Sequence, residues 1–209
     1  MITDKTQLRA ALRARRAAFV TQLDSEAAAA LRAQLANVVI PHLADTGSVA
    51  VYVAYGAEID PACIALRLQQ LGRQVLWPRV NAATDSLSFH ACAPDALVAG
   101  FRGLPEPPAD APAATPDVIL LPLVGADLAG NRIGQGGGHY DRTLAALRAG
   151  GHRPQTIGLS WEVQIVDAIA PDDWDQRLDA LAPPARRFGV GEQGGQALRF
   201  KDLLAFAGT

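Results

Sequence analysis

The 209-residue chain carries 19 basic and 21 acidic side chains for a formal net charge of −2, and 49% of its residues are hydrophobic. That length fits one domain with a sizeable core, and the charge balance argues against a nucleic-acid partner, which needs a basic excess. No run approaches the roughly 20 apolar residues of a membrane span and no apolar leader is visible, so a soluble, cytoplasmic, monomeric protein without a membrane partner is expected.

Residues 3–20 read as an amphipathic helix, with Leu8, Leu12 and Phe19 on the apolar stripe and Arg9, Arg13, Arg15 and Arg16 elsewhere. Asp24 or Ser25 caps a second helix that runs to about residue 40, where Pro41 ends it. The stretch 48–55, SVAVYVAY, has the β-branched and aromatic content of a strand, and Glu58 follows in a loop. Asp60 and Pro61 open a helix to about residue 70. Residues 74–77 form a short strand that Pro78 stops, and 86–92 alternate as another. The proline- and alanine-rich stretch 93–116 reads as a long surface loop.

Residues 117–124, DVILLPLV, form a continuous apolar run, the pattern of a strand buried on both faces of a parallel sheet. A helix is expected over 140–149, a buried strand over 156–161, a short helix over 163–170, an acidic loop over 172–179 and a strand over 181–188. The alternation predicts a single-domain α/β fold: a mostly parallel sheet with helices on both faces, in three layers. That domain should span 1–188, with 189–209 a C-terminal tail of no assignable role. The two cysteines, Cys63 and Cys92, lack CxxC spacing, and the four histidines lack metal spacing.

The most informative stretch is 132–141, RIGQGGGHYD, between a buried strand and a helix. Glycines at 134, 136, 137 and 138 remove Cβ atoms where a ligand must touch backbone, and they allow N–H groups to converge on an anion. The helix behind adds its positive end. Arg132 supplies a planar fork suited to phosphate oxygens, and Asp141 could hold a metal bridging phosphates. No Gly-Lys-Ser/Thr closes the loop as in a Walker A motif, and His139 stands where a dinucleotide fingerprint has its third glycine. The competing reading is a tight connection that needs glycine only for its turns. Lys5 and Arg9, four apart on one helix face, read by themselves as a solvated basic surface. Glu58 is an even choice between a loop carboxylate in solvent and a group at the same sheet edge as the glycine loop.

Together these pieces resemble the 5-formyltetrahydrofolate cyclo-ligase family, also called methenyltetrahydrofolate synthetases. The segment 117–142 is similar to the family signature: a strand ending in proline, a Gly–x–Asp turn, then Arg–hydrophobic–Gly–x–Gly–x–Gly–Tyr–Tyr–Asp. Further matches come in order: Lys5-Thr6-Gln7-Leu8-Arg9, Val51-Tyr52-Val53 with Glu58-Ile59, Gly103-Leu104-Pro105-Glu106-Pro107, the strand 156–160, and 175–179. His139 departs from the first of the two tyrosines, Gln135 and Gly137 stand where basic residues are common, and Trp174 replaces a histidine.

The resemblance implies an ATP- and Mg²⁺-dependent ligase that turns 5-formyltetrahydrofolate into 5,10-methenyltetrahydrofolate, releasing ADP and phosphate. In that chemistry the formyl oxygen attacks the γ-phosphate, and N10 then displaces phosphate. The resemblance also implies that Lys5, Thr6, Gln7, Leu8 and Arg9 contact ATP. Arg132, Ile133, Gly134, Gln135, Gly136, Gly137, Gly138, His139 and Tyr140 would wrap its triphosphate, with Arg132 and Lys5 neutralising charge in the reaction. Val53, Glu58 and Tyr140 would bind the folate, and Asp141 and Asp175 the magnesium. Two other readings stand beside it: a phosphosugar isomerase or CoA-transferase-like enzyme on a similar scaffold, and a nucleotide-binding module without turnover.

Overall fold

Helix α1 (Lys5–Thr21) begins where the Asp4 side chain accepts a hydrogen bond from the Thr6 backbone N–H, satisfying one of the unpaired first-turn donors. Asp24 caps α2 (Ser25–Val39) in the same way through the Ala27 N–H. The computed structural model describes residues 4–43 and 47–184. Strand β1 (Ser48–Ala50) follows, then α3 (Ala62–Gln70), β2 (Gln74–Asn81) and β3 (Ser86–Ala91). The second half contributes β4 (Val118–Pro122), α4 (His139–Ala149), β5 (Gln155–Leu159) and β6 (Ala180–Ala182).

These strands form one sheet in the order β6-β5-β4-β1-β2-β3, and only β3 runs antiparallel to its neighbour. Leu35 and Val39 of α2 and Ile64 and Leu68 of α3 pack with Val49, Val118, Leu120 and Ile157 on one face. Leu144 of α4 packs with Ala50, Leu76, Ile119 and Leu121 on the other. The expected three-layer α/β/α architecture is therefore present. From β1 the chain builds outward to β2 and β3, then crosses back to build β4, β5 and β6 on the other side. The connections leaving the carboxyl ends of β1 and β4 diverge, and a crevice opens between them.

Several local expectations are corrected. The strand over 48–55 is only Ser48–Ala50 long. Val51 N–H still donates to Leu76 O at 2.9 Å, but Pro78 would supply the next donor of this parallel ladder and has none. Residues 52–55 therefore leave the sheet, and the Tyr52 hydroxyl donates to Ile59 O at 2.5 Å to fix the new path. Pro78 does not stop β2 itself, because β2 continues to Asn81 by antiparallel pairing with β3.

The helix expected over 163–170 is a short 3₁₀ turn, Glu162–Gln164, followed by extended chain. Ile165 bridges to Ala126, Val166 N–H donates to Ala126 O and Ile169 N–H to Asp127 Oδ2, so tertiary partners take the donors a helix would have used. The surface stretch 93–116 contains two 3₁₀ turns and a two-strand hairpin, Val98–Ala99 with Pro105–Glu106. The last expected strand is Ala180–Ala182; residues 185–188 and the tail 189–209 lie outside the described residues.

Candidate active site

The glycine loop leaves the sheet through a small hairpin, Gly125–Ala126 paired with Arg132–Ile133. Asp127, only 3% exposed, braces its turn by accepting from the N–H groups of Ala129, Asn131 and Ile169 and from the Asn131 side chain. Beyond Ile133 the backbone adopts φ +103° at Gly136 and φ +67° at Gly138, conformations that strain any residue with a Cβ. Gly138 is the N-cap of α4 and brings no side-chain cap. No side chain therefore caps the first turn of α4, whose dipole favours an anion at that end.

One face of α1 lies against this loop. Arg9 Nε donates to Gly134 O at 2.9 Å, and Arg13 Nη2 donates to Gln135 O at 2.8 Å. Lys5, at the head of the same four-residue spacing, donates to Asp172 Oδ2 at 2.7 Å and to Asp175 Oδ2 at 2.5 Å. Burial works against the Lys5 charge, but the two carboxylates outweigh it and raise its pKa above the ordinary lysine value. Asp175 is the mirror case: burial would push it up, yet Lys5 and the Asp172 N–H hold it below the usual carboxylate range. Both groups are ionised at neutral pH.

Deeper in the crevice, Arg132 Nη2 pairs with Asp141 Oδ1 at 2.7 Å, and the Gln176 N–H donates to the same oxygen at 3.0 Å. The other terminal nitrogen of Arg132 is buried with no partner among the described residues. Glu58 forms the facing wall. Its Oε2 accepts from Tyr55 N–H at 3.0 Å, and its Oε1 accepts from the Gln135 side chain at 2.9 Å and lies 3.7 Å from Arg16 Nη1. Burial, then the nearby Glu58, push the Tyr140 hydroxyl far above its ordinary pKa, so it stays a neutral donor. These groups border a cleft of about 760 Å³, large enough for two small substrates side by side.

Most expected site residues converge here. Lys5, Arg9, Val53, Glu58, Arg132, Ile133, the loop 134–138, His139, Tyr140, Asp141 and Asp175 all line the cleft. The basic face of α1 is thus turned towards the glycine loop rather than into bulk solvent. Thr6 and Gln7 are exposed and outside the cleft wall, and Leu8 packs with Leu12, Val124, Ile133 and Ile169. Arg13 and Arg16, to which sequence reasoning gave no site role, also line the cleft, as do Glu106 of the matched segment 103–107 and Asp172 of the acidic loop. The spacing Lys5–Arg9–Arg13 was the available signal for the first.

For a divalent ion, no cluster of three or more His, Cys, Asp or Glu side chains exists among the described residues. Asp141 and Asp175 nonetheless suit magnesium shared with a nucleotide. Among the described residues each accepts hydrogen bonds on one carboxylate oxygen, and Mg²⁺ is commonly held by one or two carboxylates plus phosphates and water.

A doubly covered sheet of this strand order, with a glycine loop and the basic face of α1 at its central crevice, defines a three-layer α/β protein with its cleft at the sheet's switch point. The chain belongs to the 5-formyltetrahydrofolate cyclo-ligase family, whose family model matches residues 1–184. It is 35% identical over 192 residues to the 5-formyltetrahydrofolate cyclo-ligase of Mycolicibacterium smegmatis, covering 87% of this chain and 94% of that one. It is 30% identical over 145 residues to the enzyme of that name from Escherichia coli K12, covering 66% and 79%. Among solved structures, it resembles the 5,10-methenyltetrahydrofolate synthetase of Aquifex aeolicus with a TM-score of 0.71 at 22% identity, over 92% of this chain and 97% of that one. The synthetase from Mycoplasma pneumoniae gives 0.66 at 22% identity, over 86% and 98%. At these identities the two structures speak for the fold alone. No helix among the described residues is long and apolar enough to cross a membrane.

Proposed function

We propose that the cleft binds ATP on its glycine-loop wall and the reduced folate against the loop that follows β1. The activity is that of the family, an ATP-dependent ligase converting 5-formyltetrahydrofolate to 5,10-methenyltetrahydrofolate. In this reading Lys5 and Arg9 meet the triphosphate from α1, while Arg132, Ile133 and the amides of 134–140 enclose it. Val53 and Tyr140 border the pterin, and Glu58 accepts its amidine-like N–H edge as carboxylates accept bidentate donors. Asp141 and Asp175 would hold Mg²⁺, which neutralises charge on the phosphates. The protein's work is to align two anionic substrates and exclude other geometries, which suits phosphoryl transfer and needs no nucleophile. We also take the protein to act as a cytoplasmic monomer with neither nucleic acid nor membrane as partner; light scattering checks the oligomeric state.

The observation that carries this reading is the direct contact between α1 and the glycine loop, through Arg9 and Arg13, beside a cleft whose opposite wall presents Glu58. Incubation with 5-formyltetrahydrofolate, ATP and Mg²⁺ is expected to raise the near-ultraviolet absorbance of the methenyl product. A flat trace from protein that binds ATP tightly would instead identify a nucleotide-binding module without turnover.

A further inference from the structure

We infer that Arg16 is a positioning residue for the folate: it anchors the Glu58 carboxylate at the cleft wall. This rests on the reading of Glu58 as the pterin's acceptor. Arg16 lies on α1, three residues beyond Arg13, and is 5% exposed. Its Nη1 donates to Leu123 O at 2.9 Å, just past the end of β4, and sits 3.7 Å from Glu58 Oε1, with both side chains 6% exposed. The Arg16 Nε is buried without a partner among the described residues. Burial pulls the guanidinium pKa down and Glu58 pulls it back. The two charges therefore depend on each other in a site that water barely reaches.

A buried ion pair contributes little to folding compared with apolar groups of the same volume. What it does supply is direction. The side chain within hydrogen-bond distance of Glu58 among the described residues is the neutral amide of Gln135, which sits on the glycine loop and competes for the same oxygen as an incoming pterin, whereas Arg16 acts on Glu58 as an ion pair at 3.7 Å. Arg16 is fixed to the β4 end through Leu123 and does not leave with that loop. It thereby ties the nucleotide-facing helix, the carboxyl end of β4 and the folate-facing loop after β1 into one unit.

The test is a double-mutant cycle read by calorimetry, with 5-formyltetrahydrofolate and ATP·Mg²⁺ titrated separately into Arg16→Met, Glu58→Gln and the double variant. Arg16→Met should weaken folate binding by about 10–100-fold and leave ATP binding within about threefold. The double variant should bind folate no more weakly than Glu58→Gln alone, and Arg16→Lys should recover part of the loss. Additive losses, equal loss of both ligands, or unchanged folate affinity would overturn the inference. Should Arg16→Met fail to fold, Arg16→Lys takes its place in the cycle and the same comparison decides. Unchanged folate affinity in Glu58→Gln alone would instead reject the pterin role of Glu58, a separate outcome.

Discussion

Arg132 concentrates the physical case for a nucleotide. Its side chain is 7% exposed, one terminal nitrogen pairs with Asp141, and the other has no partner among the described residues. A buried donor without an acceptor costs about 1–3 kcal/mol, and a phosphate oxygen would remove that cost with a charge-assisted bond. Arg132→Ala is therefore expected to weaken ATP binding by about 1.5–3 kcal/mol in a calorimetric titration; unchanged affinity would move the triphosphate elsewhere. Glu58→Gln should raise the KM for folate far more than the KM for ATP, and equal increases would count against its assignment. The Lys5 clasp gives a pH signature. Asp175 has a lowered pKa, so its contribution is present above the ordinary carboxylate range and fades as pH falls through it. Lys5 has a raised pKa, so its contribution is present below the ordinary lysine range and fades as pH rises past it. The stability gap between wild type and Lys5→Ala should be greatest near neutral pH and close at both extremes. It should stay at or below about 1 kcal/mol, since the partners are partly exposed. Urea unfolding across pH measures it, and a gap independent of pH would mean the clasp does not form.

Helix α4 joins site to core. Its first turn borders the cleft without a side-chain cap, while Leu144, fully buried, fixes the helix on the sheet face formed by Ile119 and Leu121. Leu144→Ala should cost about 2–5 kcal/mol of stability in chemical denaturation. A loss below about 1 kcal/mol would mean the helix is not held through this contact. The helices and the apolar run ending at Pro122 were legible because caps, periodicity and continuous hydrophobicity are local signals. The early end of β1 was not, since it depends on which residue of β2 would next donate to the ladder beyond Val51, and that residue is Pro78, which has no N–H. The stretch 163–170 looked helical by composition. The buried Asp127 carboxylate and the Ala126 carbonyl lie more than thirty-five residues away, yet they claim its N–H groups.

Taken together, the strands place two distant stretches of sequence at one crevice: residues 5–16 and residues 132–141. The place of the glycine loop could be read locally, because four glycines between a buried strand and a helix mark a connection at the sheet's edge, and positive φ at Gly136 and Gly138 bears out the need for glycine there. That the basic face of α1 turns to meet it could not, because a four-residue cation spacing looks the same on a solvated helix. Glu58 was undecided because a loop carboxylate carries no local sign of its surroundings; the structure places it 6% exposed beside the glycine loop, in contact with Gln135. The most direct measurement of the central claim is a crystal structure with a non-hydrolysable ATP analogue and Mg²⁺. Phosphate density against the amides of 134–138, within hydrogen-bond reach of Arg132 and Lys5 and with a metal on Asp141, is the expected result. A nucleotide bound elsewhere, with the glycine loop and Arg132 unchanged, would contradict it.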